Sequence, residues 1–173
     1  LLIEDAHAEF TLKSKSIRRL SRKPFSQIIS LISNRRTVEL DEVALKLANK
    51  KIIYVLNSGG QPSSSNAARL LAVNSAQSGR SIVLCDTTGQ AEKEVKDKPV
   101  KGSSDLPITS IGENVSIMNG ANGAAFFTSK KFNTTIKELT NRFDQVFLCS
   151  SNRNAAAGLM ALSEFAPCLV MIS

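Results

Sequence analysis

Apolar residues gather in five short runs: Ile52 to Leu56, Ile82 to Cys85, Val115 to Met118, Val146 to Cys149 and Cys168 to Ile172. A strand with one wet face alternates apolar and polar positions, whereas a strand covered on both faces reads as a nearly unbroken apolar run. These five are of the second kind. Between them the period lengthens to that of a helix. Leu40, Val43, Ala44 and Leu47 form a stripe behind an N-cap at Thr37, and Glu39, Asp41 and Glu42 place acid in the first turn, where the helix dipole favours it. A second helix is expected from about Ser65 to Ser78, stopped by Gly79. Phe132, Ile136, Leu139 and Phe143 recur at helical spacing behind a cap at Ser129, and a further helix covers Asn152 to Glu164. Pro24 to Ile32 reads as a short helix with Phe25, Ile28, Ile29 and Ile32 on one face. Residues 90 to 113 are polar, mixed in charge and carry two prolines, so they read as a long connection.

Strands alternating with helices predict an α/β fold, a parallel sheet flanked by helices on both faces. In such sheets ligands bind beyond the carboxyl ends of the strands. Four segments sit there: Asn57 to Ser65, Asp86 to Gly89, Asn119 to Gly123 and Cys149 to Asn154. All four are rich in small polar residues and nearly free of charge.

The first of these carries the most chemistry. Strand, then Ser58, Gly59, Gly60, Gln61, Pro62, Ser63, Ser64 and Ser65, then helix, is the layout of a phosphate-binding loop. Such a loop needs glycines for close backbone approach, a lysine for the outer phosphates and a hydroxyl for magnesium. Ser64 occupies the lysine slot. The serines at the helix start have two readings: they bind a phosphate through backbone N–H groups, or they simply cap the helix. Asp86 is either a remnant metal ligand or a carboxylate bonded to loop amides. Cys85 and Cys149 form a redox pair if their strands bring them together, and are otherwise buried, inert thiols. Tyr54, mid-strand, is assigned to packing. His7 is the sole histidine, which excludes a His-based triad or zinc site.

Composition adds limits. A chain of 173 residues with 42% apolar content can fill a core. No run reaches the roughly 18 residues of a membrane span, and no signal-peptide pattern opens the chain. The chain begins at Leu1 and reads as a piece of something longer. Three cysteines, an odd and sparse set, suit a reducing cytoplasm. The net charge of +7 is concentrated: Lys13, Lys15, Arg18, Arg19, Arg22 and Lys23 fall within eleven residues that hold no acid. This segment is either a solvated arm or a contact for an anionic membrane, where clustered cations gain about 1 kcal/mol each. The lack of Trp, the single Tyr and the absence of a recognition motif argue against nucleic acid.

Taken in order, these pieces resemble the cytoplasmic domain of bacterial tyrosine kinases and polysaccharide co-polymerases, within the P-loop ATPases of deviant Walker A type related to MinD and ParA. Ser58 to Ser65 matches the Walker A loop, and Arg69 to Asp86 matches the following helix, Gly turn and the strand ending in the Walker A′ aspartate. Lys101-Gly-Ser-Ser-Asp-Leu106 resembles the family's Gly-Leu-Ser-Asp segment, and Ile117-Met-Asn-Gly120 with Phe126 to Phe132 its strand, glycine and helix start. Phe143 to Cys149 falls on the Walker B strand. The resemblance runs from about Glu39 to the C-terminus. It implies a P-loop-like domain over residues 38–173, preceded by a basic juxtamembrane or flexible extension over residues 1–37.

The departures carry as much meaning. Gln61 and Ser63 replace loop glycines, Ser64 the lysine, Thr88 the second Walker A′ aspartate and Cys149 the Walker B aspartate. Phosphoryl transfer rests on positioning and charge neutralisation, so losing the cation and two acids implies a domain without ATPase or kinase activity, with no cofactor beyond weak ATP or ADP binding. The family's ring-forming motif, a glutamate and two arginines three apart, falls on Glu39, Glu42 and Leu45, without its arginines. The resemblance therefore implies a scaffold or docking domain in polysaccharide synthesis and export, tethered at the inner membrane, with protein partners and room for a homo-oligomer. Two other readings stay open: an anion- or nucleotide-holding switch without hydrolysis, and a ParA-like relative that uses its basic arm on DNA.

Overall fold

A computed structural model describes residues 3–4, 27–31, 40–57, 64–88, 106–118 and 123–172. Their strands form one sheet: β1 (Ile3–Glu4), β2 (Gln27–Leu31), β3 (Ile52–Asn57), β4 (Ile82–Asp86), β5 (Ile108–Gly112), β6 (Val115–Met118), β7 (Gln145–Cys149) and β8 (Cys168–Ile172). The order across the sheet is β1-β2-β8-β3-β7-β4-β6-β5. The six inner strands are parallel, and only the outermost, β1 and β5, run antiparallel to their neighbours. The α/β class read from the apolar runs is the class observed.

The helices are α1 (Leu40–Leu47), α2 (Ser64–Ala76), α3 (Gly123–Thr128), α4 (Phe132–Arg142) and α5 (Ala155–Leu162). They cover both faces. On one, Val43 and Leu47 of α1 and Ala68, Leu71 and Ala72 of α2 pack on Ile53, Val55, Leu84 and Phe147. On the other, Ile136 and Leu139 of α4 and Leu159 and Leu162 of α5 pack on Tyr54, Val83 and Leu148. The period-2 geometry of β3 sends Ile53 and Val55 to the first face and Ile52, Tyr54 and Leu56 to the second. Both faces being dry explains why the central strands carry no polar alternation.

Three local expectations change. Within the span Pro24 to Ile32, expected as a helix, the described residues Gln27–Leu31 form strand β2, paired in parallel with β8 from Gln27↔Cys168 to Leu31↔Ile172. Ile28 and Ile29 are β-branched, and the open edge of β8 offers a ladder that outweighs weak helical spacing. The connection expected through residue 113 contains β5, which returns against β6 through a turn at Glu113 and Asn114, with Asn114 at φ +60. Its short, bulged run at Ser110 and Gly112 gave little periodic signal. Helix α3 was not anticipated, because six residues are too few for a 3.6-residue period to declare itself. The cap expected at Ser129 is displaced: α4 begins after Lys131, with no side-chain cap bond. Helix α5 is flanked by single 3₁₀ turns at Asn152–Asn154 and Ser163–Phe165, which together fill the span expected.

One close approach fixes the depth of α5 on the sheet. A Cβ placed on Gly158 would stand 2.1 Å from the Tyr54 hydroxyl and 3.1 Å from Phe127 Cζ. In an exposed helix, glycine to alanine gains about 1 kcal/mol. Here overpacking wins. Gly158→Ala is expected to destabilise the protein by about 1–3 kcal/mol, read as a lower thermal unfolding midpoint; a raised midpoint would contradict the packing described.

Candidate functional site

Helix α2 leaves β3 for one face of the sheet, and α5 leaves β7 for the other. Adjacent parallel strands whose connections diverge open a crevice at their carboxyl ends, the place where such sheets bind ligands. The crevice here is bounded by the ends of β3, β7 and β4. Ser64 and Ser65, the first residues of α2, and Asp86, the last residue of β4, meet there. Ser58, Gly59, Gly60, Gln61, Pro62 and Ser63 lie outside the described residues, as do Lys13, Lys15, Arg18, Arg19, Arg22 and Lys23.

Asp86 is the centre of the arrangement. Its carboxylate is only 5% exposed, and burying an unpaired carboxylate is costly unless donors surround it. Donors do. The Ser65 hydroxyl donates to Oδ2. Thr88 donates its backbone N–H to Oδ1 at 2.8 Å and its hydroxyl to the same oxygen at 2.5 Å. Cys149 faces Asp86 across the β4–β7 pair, its thiol beside the carboxylate. Asp86 is thus bonded within the protein by two hydroxyls and an amide.

The neighbouring groups tie the three strand ends together. Ser64, in the lysine slot, is 4% exposed and donates its hydroxyl to the Ser150 carbonyl at 2.8 Å. Thr87 closes β4 onto β7, donating both its N–H (3.0 Å) and its hydroxyl (2.8 Å) to the Cys149 carbonyl. The Thr87 carbonyl in turn accepts the N–H of Gly123 at 3.1 Å, which anchors the start of α3. Tyr54 does more than pack: its hydroxyl lies 2.5 Å from Ser150 Oγ. Ser150 and Thr87 lie in segments marked as strand ends, but no motif singled them out, since isolated hydroxyls there carry none. Arg153, on the 3₁₀ turn after β7, is at this end of the sheet, whereas Arg80 precedes β4 at the other.

Burial sets the protonation of this cluster. The Cys149 thiol is held well above its ordinary range, first by burial and then by the Asp86 carboxylate beside it. Burial, with a smaller push from Asp86, raises Cys85 to about 12. Burial likewise raises the Tyr54 phenol despite its bond to Ser150. Both thiols remain protonated at neutral pH. The redox pairing of Cys85 with Cys149 is not realised: they pack in opposite faces of the sheet, and all three cysteines are free. Among the described residues, no group of three or more His, Cys, Asp or Glu side chains converges as a metal site.

No family model matches the chain, and no curated protein matches it in sequence. Solved structures do. The kinase domain of VpsO matches with a TM-score of 0.59 and 14% identity, over 75% of this chain and 74% of that one. The chimerical protein CapA2B2 matches with a TM-score of 0.58 and 15% identity, over 90% of this chain and 82% of that one. At such identities the likeness establishes a shared fold, and function is argued from the site. No helix among the described residues is long and apolar enough to cross a membrane.

Two outcomes follow from this geometry. Asp86→Asn turns an acceptor into a donor facing Thr88 N–H, and is expected to cost about 1–3 kcal/mol, a fall of several degrees in the unfolding midpoint. An unchanged or higher midpoint would mean that the carboxylate is not held for the fold. The thiols give the second. Cys85 and Cys168 titrate near 12 and 11 when folded, against an ordinary 9.0. Above pH 9 the unfolded chain releases these protons before the native one, so their contribution is full below pH 9 and is lost as pH rises toward 12. Urea unfolding across that window should show falling stability, and stability that holds level up to pH 12 would contradict it.

Proposed function

We propose that this chain is a non-catalytic, P-loop-like domain of a polysaccharide synthesis and export protein, acting as a docking or regulatory scaffold. The observation that supports this reading is the closed polar cluster at Asp86. A working site would direct a hydroxyl and carboxylates at magnesium and a lysine at the phosphates. In this chain the Ser65 hydroxyl and the Asp86 carboxylate bond each other, and Ser64 donates to a backbone carbonyl. A protonated thiol stands in the place of a second acid. Magnesium prefers hard oxygen ligands, and a neutral thiol is a poor substitute. A nucleotide would bring about four negative charges toward a buried carboxylate, with Ser64 where the cation belongs.

The fold shared with the VpsO kinase domain supports the setting. In this reading the segment Lys13 to Lys23 faces the anionic cytoplasmic surface of the inner membrane, and the domain's partners are proteins of the export complex. The alternative is a switch module that still holds ATP or ADP without hydrolysing it.

Thermal unfolding with millimolar magnesium and ATP or ADP separates the two. Ligand at about 100 times its dissociation constant adds about 2.7 kcal/mol, several degrees for a chain of this size. The scaffold reading expects no shift and no phosphate release. A clear shift would move the assignment to the switch module.

A further inference from the structure

Helices α3 and α5 contain no charged side chain: their sequences are Gly123-Ala-Ala-Phe-Phe-Thr128 and Ala155-Ala-Ala-Gly-Leu-Met-Ala-Leu162. A helix that is apolar on every side is normally covered on every side. Yet the outer row of α5 faces solvent, with Ala156 exposed and Met160 65% exposed. Ala124 and Ala125 of the adjoining α3 are exposed as well.

Beside this row lies an open cleft of about 310 Å³, formed where α3 and the start of α4 meet α5. The buried rings of Phe127 and Phe132 line it, and Met160 forms one wall. Its polar lining includes one cation, Lys130, and one anion, Glu164. A single face therefore holds an exposed apolar knob, a cleft with room for such a knob, a positive charge and a negative charge. Those are the parts of a surface complementary to itself, as a two-fold interface requires: whatever residue i meets, its symmetry mate meets in return.

We propose that this α3–α5 face is an isologous dimer interface between two copies of the chain. Met160 of each copy enters the cleft of the other, and Lys130 of each pairs with Glu164 of the other. Methionine suits the role, being flexible enough to fill an irregular cleft and enriched at interface cores. Charge favours this face too. Two chains of formal net charge +7 repel where their cations meet, and the one cation lining this cleft, Lys130, meets Glu164 of the other copy instead.

Sedimentation equilibrium on the full 173-residue chain tests this. A dimer is expected at micromolar concentration. Met160→Glu should raise its dissociation constant by about tenfold or more while leaving the circular dichroism of the fold unchanged. Lys130→Glu and Glu164→Lys should each weaken the dimer, and the two together should restore it, a result that only reciprocal pairing produces. Leu70→Glu, on the exposed apolar row of α2, should leave the mass alone. A monomeric wild type, a dimer that survives Met160→Glu, or a charge swap that fails to restore association would each overturn the proposal and give the face to another occupant.

Discussion

A carboxylate buried at the end of a parallel strand must be surrounded by donors, and much of this molecule's upper end is arranged to meet that demand. Asp86 draws Ser65 from the first turn of α2 and Thr88 from its own loop, and it faces Cys149 on the neighbouring strand. Two connections that would otherwise be free to diverge are held to one point. Burial that would destabilise an unpaired charge becomes a fastening once both carboxylate oxygens accept hydrogen bonds. The hydroxyls of Ser64, Thr87 and Tyr54 extend it, each reaching Ser150 or the Cys149 carbonyl across the strand ends.

The same atoms show what holds the fold where the sequence has a phosphate-binding layout. A loop built for nucleotide has polar groups aimed at a ligand, and these are unsatisfied whenever the ligand is absent. Here the Ser64 and Ser65 hydroxyls donate to protein acceptors. These bonds tie the strand ends together within the protein itself. The α3–α5 helices expose apolar surface at Met160, Ala156, Ala124 and Ala125, and α1 and α2 expose more at Leu45, Leu70 and Val73.

Much of the architecture was legible because it depends on one strong signal. Unbroken apolar runs at β3, β4, β6, β7 and β8 can be buried only between two helical layers, and that fixed the class and the end of the sheet to inspect. Asp86 was legible the same way, as the polar residue directly after such a run, and Ser64 and Ser65 through the strand–loop–helix layout that follows another. What the sequence hid was set by contacts distant along the chain. Gln27–Leu31 became a strand because β8 had an open edge, not because of its own spacing. Ser150 gained its role from Tyr54, 96 residues away, and no local pattern marks such a pair. Gly158 reads as an ordinary weak helix residue until the Tyr54 hydroxyl is seen beneath it.

The claim that the polar cluster serves the fold is tested most directly by a double-mutant cycle on Ser65→Ala and Asp86→Ala, measured by unfolding free energy without any ligand. Residues in one hydrogen-bond network couple by about 0.5–3 kcal/mol. A coupling in that range, with both single variants destabilised, is the result this account predicts. Additive effects, or a stability gained by removing Asp86, would mean that the carboxylate is held at a cost to the fold for a ligand still to be found.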